Sequence, residues 1–211
     1  QISLLIIGRV EVYIMANPFM HLLPVYPMIA KQILDDYKIA DGKCVDIGTG
    51  HGNLGLELAK ITNLEMFFVD INPEALKKAE KNVSKYNLKN TVHFLEADVC
   101  LLPFENNYAD LIISRGSLWF WKDQIKGLQE INRVLKKGGV AFIGGGLGKY
   151  TPDSIRKSLQ GKGRKTQIKK GEKGFINGEK LQKLVDKTGI ANCRLLADVE
   201  GQPATWIEIR K

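Results

Sequence analysis

Residues 45–55, VDIGTGHGNLG, decide how the rest of this chain of 211 residues is interpreted. A short apolar run ends in three glycines at alternate positions, starting at Gly48, and a helical pattern follows over residues 53–61. Because missing side chains let a ligand approach the backbone where a helix begins, this order is typical of a nucleotide-binding loop. Dinucleotide-binding loops usually have the spacing G-x-G-x-x-G, which would need glycine where Asn53 stands. The acid at Asp46 would repel a pyrophosphate and suits a ligand that offers an ammonium group and no phosphate.

Outside this loop the chain alternates between short apolar runs and amphipathic helical patterns. Strands are predicted at residues 43–47, 64–69, 91–95, 109–113, 140–143, 193–199 and 205–209, and helices at 28–37, 53–61, 72–86, 125–135 and 177–187. This alternation predicts an α/β fold with a Rossmann-like, mostly parallel sheet of seven strands and helices on both faces. The last two strands must form a terminal antiparallel hairpin, because so short a link cannot hold a crossover helix. The glycine pair Gly138-Gly139 is expected to stop the helix at 125–135.

Composition limits the class of protein. With 44% hydrophobic and 26% charged residues and a net charge of +8, the chain is an ordinary globular protein, neither disordered nor collagen-like. No apolar run approaches the roughly 18–20 residues that span a bilayer, and residues 1–15 lack the pattern of a signal peptide. Three scattered cysteines without a CxxC pair, and three histidines without ligand spacing, predict no metal site and no disulfide framework. We therefore expect a cytoplasmic protein without a membrane partner.

Five segments, in the right order, resemble the class I S-adenosylmethionine-dependent methyltransferases. DIGTGHG at 46–52 is similar to the family's first motif, and FFVDIN at 67–72 to the acidic end of its second strand. EADVCLLPF at 96–104 resembles the segment whose aspartate contacts adenine, and YADLIISR at 108–115 resembles the fourth strand. EINRVLKKGG at 130–139 resembles the family's L-K-P-G-G turn, with lysine where proline is usual.

The resemblance covers roughly residues 28–146 and the hairpin. The segment SRGSLWFW at 114–121, followed by GGGLG at 144–148, narrows it to small archaeal and bacterial methyltransferases of unassigned substrate. It implies S-adenosyl-L-methionine as cofactor and S-adenosyl-L-homocysteine as product. The residues that it places at the cofactor are Tyr26, Asp46, Gly48, Thr49, Gly50, Gly52, Asn53, Leu54, Asp70, Ile71, Asn72, Asp98, Val99, Ser114 and Arg115.

Within this set the resemblance implies particular roles. Asp70 is expected to accept both ribose hydroxyls, as in the related dinucleotide folds. Asp98 is expected to contact the adenine amino group, the alternative being a turn or helix-cap residue. Ile71 and Val99 are expected to lie on either side of the purine.

The family also has an N-terminal segment that covers the cofactor, here residues 1–27, ahead of a single domain at 28–211. Tyr26 is placed to reach the methionine part, and packing at the helix entry is the alternative. Arg115 also has two interpretations. It pairs with a carboxylate of the cofactor or acceptor, or it bonds loop carbonyls.

Methyl transfer from a sulfonium needs chiefly the alignment of nucleophile, methyl carbon and sulfur, so no catalytic residue is assigned. The residues after the fourth strand are neither an Asn-Pro-Pro-Tyr tetrapeptide nor a Pro-Cys nucleophile, which disfavours methylation of adenine N6, glutamine amides and cytosine C5. Trp119 and Trp121 are candidates for the acceptor pocket, because an aromatic face stabilises a sulfonium. The alternative is that they fasten the following helix to the sheet, which is the role we expect for Phe120.

A basic insertion at residues 146–175 carries nine Lys or Arg against two acids, which is nearly the whole net charge. Because it follows the fifth strand, at the C-terminal edge of the sheet, it is expected beside the site. The interpretations, in order of preference, are a lid over a small-molecule acceptor with Lys149 and Tyr150 as contacts, a solvated loop, and an RNA-binding patch. RNA ranks last because base-stacking surfaces usually need more aromatic residues. A non-catalytic cofactor-binding protein is a further alternative.

Overall fold

The computed structural model describes residues 20–159 and 177–211, which form one sheet of seven strands. The strands are β1 (Lys43–Ile47), β2 (Glu65–Asp70), β3 (Val92–Glu96), β4 (Ala109–Arg115), β5 (Leu135–Gly144), β6 (Cys193–Leu196) and β7 (Trp206–Arg210). Their order is β3-β2-β1-β4-β5-β7-β6, and neighbours are parallel except the two pairs that involve β7. The predicted mostly parallel sheet with a terminal antiparallel hairpin is confirmed.

Helices connect the strands. They are α1 (Tyr26–Tyr37), α2 (Asn53–Ala59), α3 (Pro73–Val83), α4 (Gln124–Val134), α5 (Asp153–Leu159) and α6 (Gly178–Asp186), with 3₁₀ turns at Met20–Val25 and Leu118–Phe120. The beginning of α3 follows from local sequence: Asn72 caps the helix by accepting the Glu74 N–H at 3.0 Å, and Pro73 takes the first helical position. The predicted end of α1 at residue 37 and the predicted start of α2 at residue 53 agree with the structure, and the other predicted helix bounds differ by one to three residues.

The sheet separates two apolar layers. Side chains alternate along β1, so that Val45 and Ile47 face one layer and Cys44 faces the other. The first layer contains α4 and α6, through residues such as Leu128 and Leu181, and the second contains α1 and α2. Because both faces of the sheet are covered, its strands read as nearly continuous apolar runs.

The connection between α4 and β5 differs from the prediction. The helix ends at Val134 and the strand starts at the next residue, so the expected helix stop at Gly138-Gly139 is wrong. Early in β5 the register with β4 shifts between the pairings of Ala109 and Leu111. The two glycines lie in this irregular stretch, and each makes a backbone hydrogen bond with Lys211. Pairing with β4 ends the helix earlier than local propensity predicts.

Some sequence-based predictions fall outside the described residues, namely those on residues 1–19 and on residues 160–176 of the basic insertion. The described start of that insertion contains α5, whose Arg156 is buried. Within the two described ranges, the structure has no helix of the length and apolarity needed to cross a bilayer. All three cysteines are free thiols.

Candidate active site

The glycine loop leaves the carboxyl edge of β1 and is held by its neighbours on both sides. Gly48, Gly50 and Gly52 all have positive φ, between +58° and +73°, which favours glycine. A Cβ at Gly48 would lie 2.5 Å from Ser117 Oγ, and one at Gly52 would lie 3.2 Å from Ala79 Cβ. At Gly50 a Cβ would meet nothing within 4 Å. The loop is therefore packed at its two ends and open at its centre, as an approaching ligand requires.

Asp46 fastens this loop from within the sheet. The residue is 2% exposed, and its Oδ2 accepts hydrogen bonds from Thr49 Oγ1 at 2.7 Å and from Gly55 N–H at 3.1 Å. Burial, with a smaller contribution from the charge of Asp70, raises the pKa of Asp46 to about 7, although these two donors favour the ionised form. The carboxyl group thus joins the loop to the first turn of α2.

The first residues of α2 continue this arrangement. Leu54 is buried in the apolar layer beneath α2, and Asn53 Oδ1 accepts a hydrogen bond from Asn82 Nδ2 at 3.2 Å. The same amide group donates to the carbonyl of His51 at 3.1 Å. The loop is consequently supported from α3 as well as from β1.

Asp70 ends β2 directly beside the glycine loop. Its Oδ2 accepts the Gly50 N–H at 2.8 Å, and its Oδ1 accepts the Asn72 N–H at 3.0 Å. A carboxylate has about four acceptor sites, so both oxygens retain the capacity to accept a further hydroxyl each. Ile71, the next residue, is 64% exposed. An ionised acceptor and an apolar side chain therefore adjoin the open centre of the loop.

Asp98 and Val99 follow β3. Asp98 Oδ1 accepts the Cys100 N–H at 2.8 Å, which is the turn geometry that the sequence left as an alternative to adenine contact. Val99 is 7% exposed and packs beside Trp121, close to Gly127 of α4. The loop after β3 is thus fixed both by its own turn and by α4.

Glu130 and Arg133 of α4 also hold the loop after β3, through contacts that the sequence analysis did not identify. Glu130 Oε1 accepts the Leu102 N–H at 2.9 Å, and Arg133 donates to the Leu102 carbonyl at 3.3 Å. Glu130 and Arg133 form an ion pair at 2.7 Å within α4, which lowers the pKa of Glu130 through that hydrogen bond. The i, i+3 spacing of acid and base in α4 was the available signal.

A chain of hydroxyl groups fastens the 3₁₀ turn after β4. Ser114 Oγ and Ser117 Oγ are 2.7 Å apart, and Ser117 Oγ receives the Trp121 indole N–H at 3.0 Å. Trp119 and Trp121 are only 5% and 7% exposed and belong to the apolar layer that contains α4. This packing favours the fastening role for both tryptophans. Phe120 is 60% exposed, so the expectation that it fastens the helix is wrong.

Arg115 at the end of β4 connects two distant segments. Its Nε donates to the Gly146 carbonyl at 3.1 Å, and a terminal nitrogen donates to Tyr26 Oη at 3.3 Å. The guanidinium carbon lies 5.0 Å from the centre of the Tyr26 ring. The structure therefore shows the bond to a loop carbonyl, and it brings Tyr26 and Arg115 together at the carboxyl edge of the sheet.

Lys149 and Tyr150 are engaged elsewhere in the structure. Lys149 Nζ pairs with Asp36, and Tyr150 Oη donates to Asp35 Oδ2 at 2.9 Å, both acids lying in α1. These contacts attach the loop after β5 to α1, and they do not support the predicted contact of either side chain with an acceptor.

This combination of fold and site defines a nucleotide-binding enzyme domain in which a glycine loop and the carboxyl group of Asp70 lie at the carboxyl edge of adjacent strands. Residues 45–143 match the family described as a methyltransferase domain. The crystal structure of a candidate S-adenosyl-L-methionine-dependent methyltransferase from Methanococcus maripaludis is 33% identical, with a TM-score of 0.76, and the match covers 96% of this chain and 91% of that one. The chain belongs to the class I S-adenosylmethionine-dependent methyltransferases.

Two curated relatives match over shorter stretches. The chloroplastic 2-methyl-6-phytyl-1,4-hydroquinone methyltransferase 1 of Oryza sativa subsp. japonica is 36% identical over 102 residues, 48% of this chain and 30% of its own length. The mitochondrial arginine-hydroxylase NDUFAF5 of Mus musculus is 35% identical over 136 residues, 63% of this chain and 36% of its own length. The chain thus spans about a third of the length of these relatives.

Proposed function

We propose that this protein transfers the methyl group of S-adenosyl-L-methionine to a small-molecule acceptor. The observation that carries the proposal is the open backbone at Gly50, where a Cβ would meet nothing within 4 Å, beside the Asp70 carboxylate. This is a cradle that a ligand can approach closely, with an ionised acceptor at its edge. The cofactor, when bound, supplies an activated methyl group and a neutral leaving group.

Different residues of this chain would contact different parts of the cofactor. Asp70 would accept the ribose hydroxyls, and Ile71 and Val99 would contact the purine, with Asp98 at its amino group. Arg115 and Tyr26 would lie toward the methionine part. Protein groups held in this way contribute by orienting the reacting atoms, which is the main requirement of an in-line displacement.

Two observations support a small molecule as the acceptor. The rice relative is named for methylation of a hydroquinone, and it is 36% identical to this chain over 102 residues. In the described part of the basic insertion, Lys149 and Arg156 pair with Asp36 and Asp198, so part of the positive charge is already neutralised within the protein.

We place the reaction in the cytoplasm, which the three free thiols support.

Thermal unfolding with added ligands tests the cofactor. At a hundredfold excess over Kd a ligand of the native state adds about 2.7 kcal/mol. For a chain of this size that corresponds to a rise in Tm of roughly 5–10 °C. S-adenosylmethionine and S-adenosylhomocysteine should give this rise and NAD should not. Equal stabilisation by NAD, or none by either of the other two, would refute the proposal.

The acceptor is tested by incubating the protein with methyl-labelled S-adenosylmethionine and an extract separated into small molecules, RNA and protein. Label should enter the small-molecule fraction, and the Asp70→Ala variant should reduce it. Asp41→Ala is the matched control, since Asp41 precedes β1 and bonds only the exposed Asn63 side chain among the contacts shown. Label confined to RNA would establish the alternative acceptor.

A further inference from the structure

Asp198, in the link between β6 and β7, is a buried hydrogen-bonding centre that no sequence motif indicated. Its side chain is 9% exposed. Oδ1 accepts the Trp206 indole N–H at 2.7 Å and the Gly148 N–H at 2.8 Å. Oδ2 accepts the Leu147 N–H at 2.7 Å and lies 3.5 Å from a terminal nitrogen of Arg156. Four donors from three segments therefore converge on one carboxylate.

These contacts hold the loop that follows β5 against the terminal hairpin. A Cβ at Gly146 would lie 2.5 Å from Asp198 Oδ2 and 2.5 Å from Thr205 Oγ1, and would also collide with the Trp206 indole. Only a glycine lets the backbone lie so close to the hairpin. The position of the Gly146 carbonyl is consequently set by the hairpin on one side and by Asp198 through the next residue, Leu147.

The Gly146 carbonyl in turn accepts Arg115 Nε at 3.1 Å. Arg115 contacts the hydroxyl group of Tyr26 at 3.3 Å, and its guanidinium carbon lies 5.0 Å from the centre of that ring. A continuous series of contacts thus connects the terminal hairpin to the two side chains that the proposed function places at the methionine part of the cofactor.

We infer that Asp198 is a positioning residue for cofactor binding: by fixing the loop at Gly146 and Leu147, it sets where Arg115 holds its guanidinium group against Tyr26. The inference rests on the proposed function, since it concerns the same site. Asp198 itself is assigned no contact with the cofactor.

The Asp198→Asn substitution disturbs this series of contacts at one atom, Oδ2 of Asp198. An asparagine oxygen in the place of Oδ1 keeps the hydrogen bonds from Trp206 and Gly148. The amide nitrogen then replaces Oδ2 and faces two donors, the Leu147 N–H and Arg156. The substitution therefore releases the part of the loop next to Gly146 and leaves the hairpin contact in place.

Glu208→Gln is the matched control. Glu208 lies on β7 of the same hairpin, is 1% exposed, and is held by Arg194 Nε at 2.6 Å and Arg210 Nε at 2.7 Å. The substitution also removes a buried carboxylate that is paired with arginine, but it does so away from the loop after β5. A loss of stability common to both variants is thereby separated from an effect on the site.

The test is a double-mutant cycle on S-adenosylhomocysteine affinity, measured by titration calorimetry at a temperature where circular dichroism shows every variant folded. Asp198→Asn should weaken binding roughly five- to tenfold in the wild-type background and less than about twofold in an Arg115→Ala background. Glu208→Gln should change the affinity less than about twofold in either background. If Asp198→Asn does not fold, Trp206→Phe takes its place with a smaller expected loss of affinity. It removes one donor to Asp198 and part of a buried ring that stacks on Phe142, so its affinity is compared at a temperature where that variant is also folded.

The possible outcomes distinguish a failure of the positioning role of Asp198 from a failure of the proposed function. Wild-type affinity in Asp198→Asn, or the same loss with and without Arg115, would overturn the positioning role and leave the proposed function intact. A wild-type protein that does not bind S-adenosylhomocysteine would overturn the proposed function itself, and the positioning role with it.

Discussion

Alanine at Gly48 and alanine at Gly50 should damage the protein in opposite ways, although the two glycines have almost the same backbone conformation. Their φ values are +61° and +58°, so each substitution should cost the same strain of about 1–2 kcal/mol. Only at Gly48 does the new Cβ collide with another residue, at 2.5 Å from Ser117 Oγ. Overpacking of this kind adds about 1–3 kcal/mol.

The free energy of unfolding should therefore fall by about 2–5 kcal/mol in Gly48→Ala and by only about 1–2 kcal/mol in Gly50→Ala. Affinity for S-adenosylhomocysteine should show the reverse order. The added methyl group at Gly50 occupies the space through which the ligand approaches, and a loss of about tenfold or more, equal to about 1.4 kcal/mol, is expected.

Urea denaturation with linear extrapolation measures the first quantity, and titration calorimetry of the folded variants measures the second. Comparing the two variants separates the collision with Ser117, which only Gly48→Ala makes, from the loss of open space that Gly50→Ala causes. Equal destabilisation by the two variants would show that the contact with Ser117 carries no energy. An affinity within twofold of wild type in Gly50→Ala would show that the ligand does not lie over this loop.

Three further predictions follow from the same site. Asp70→Ala should weaken S-adenosylhomocysteine binding by about tenfold or more in calorimetry, because hydroxyl groups lose an ionised acceptor, whereas Asp41→Ala should not. The pKa of buried Asp46 is raised to about 7, above an unfolded value of about 3.9, so the folded state keeps a proton that the unfolded state loses. This group should therefore lower the free energy of unfolding by roughly 2 kcal/mol as the pH rises from 5 to 7, and Asp46→Asn should remove that part of the slope in urea denaturation. Trp121→Phe should cost about 1 kcal/mol of stability in the same assay, because the hydroxyl group of Ser117 loses a donor, and an unchanged midpoint would contradict this.

The sequence was sufficient to predict those parts of the structure that depend on interactions between neighbouring residues. The bounds of β1 and the cap of α3 at Asn72 agree with the prediction, because apolar runs, glycines and capping residues act locally. The start of β5 was missed because its pairing with Ala109 involves a segment far away in the chain. Local propensity favoured a helix stop at the glycines, and the sheet overrode it.

The same distinction applies to the site. Asp46, Gly50 and Asp70 are close together because two adjacent parallel strands end at one edge, and this follows from the motif and its spacing. The partners of Arg115 are 31 and 89 residues away, and no pattern in the chain predicts which carbonyl or hydroxyl group it contacts. Asp198 likewise contacts Leu147 and Gly148, which are 51 and 50 residues away, and no local pattern predicts these two contacts.

The attachment of the loop after β5 to α1 has a consequence for the order of folding. Gln32 Oε1 accepts the Lys149 N–H at 2.7 Å across 117 residues of chain. Contacts of such separation carry the largest loop-closure entropy and form late. During synthesis the segments with Asp46, Asp70 and Asp98 leave the ribosome well before the hairpin that bears Asp198. The glycine loop can therefore form on a partly made chain, whereas the loop after β5 that supports Arg115 is held in place only after the hairpin has folded.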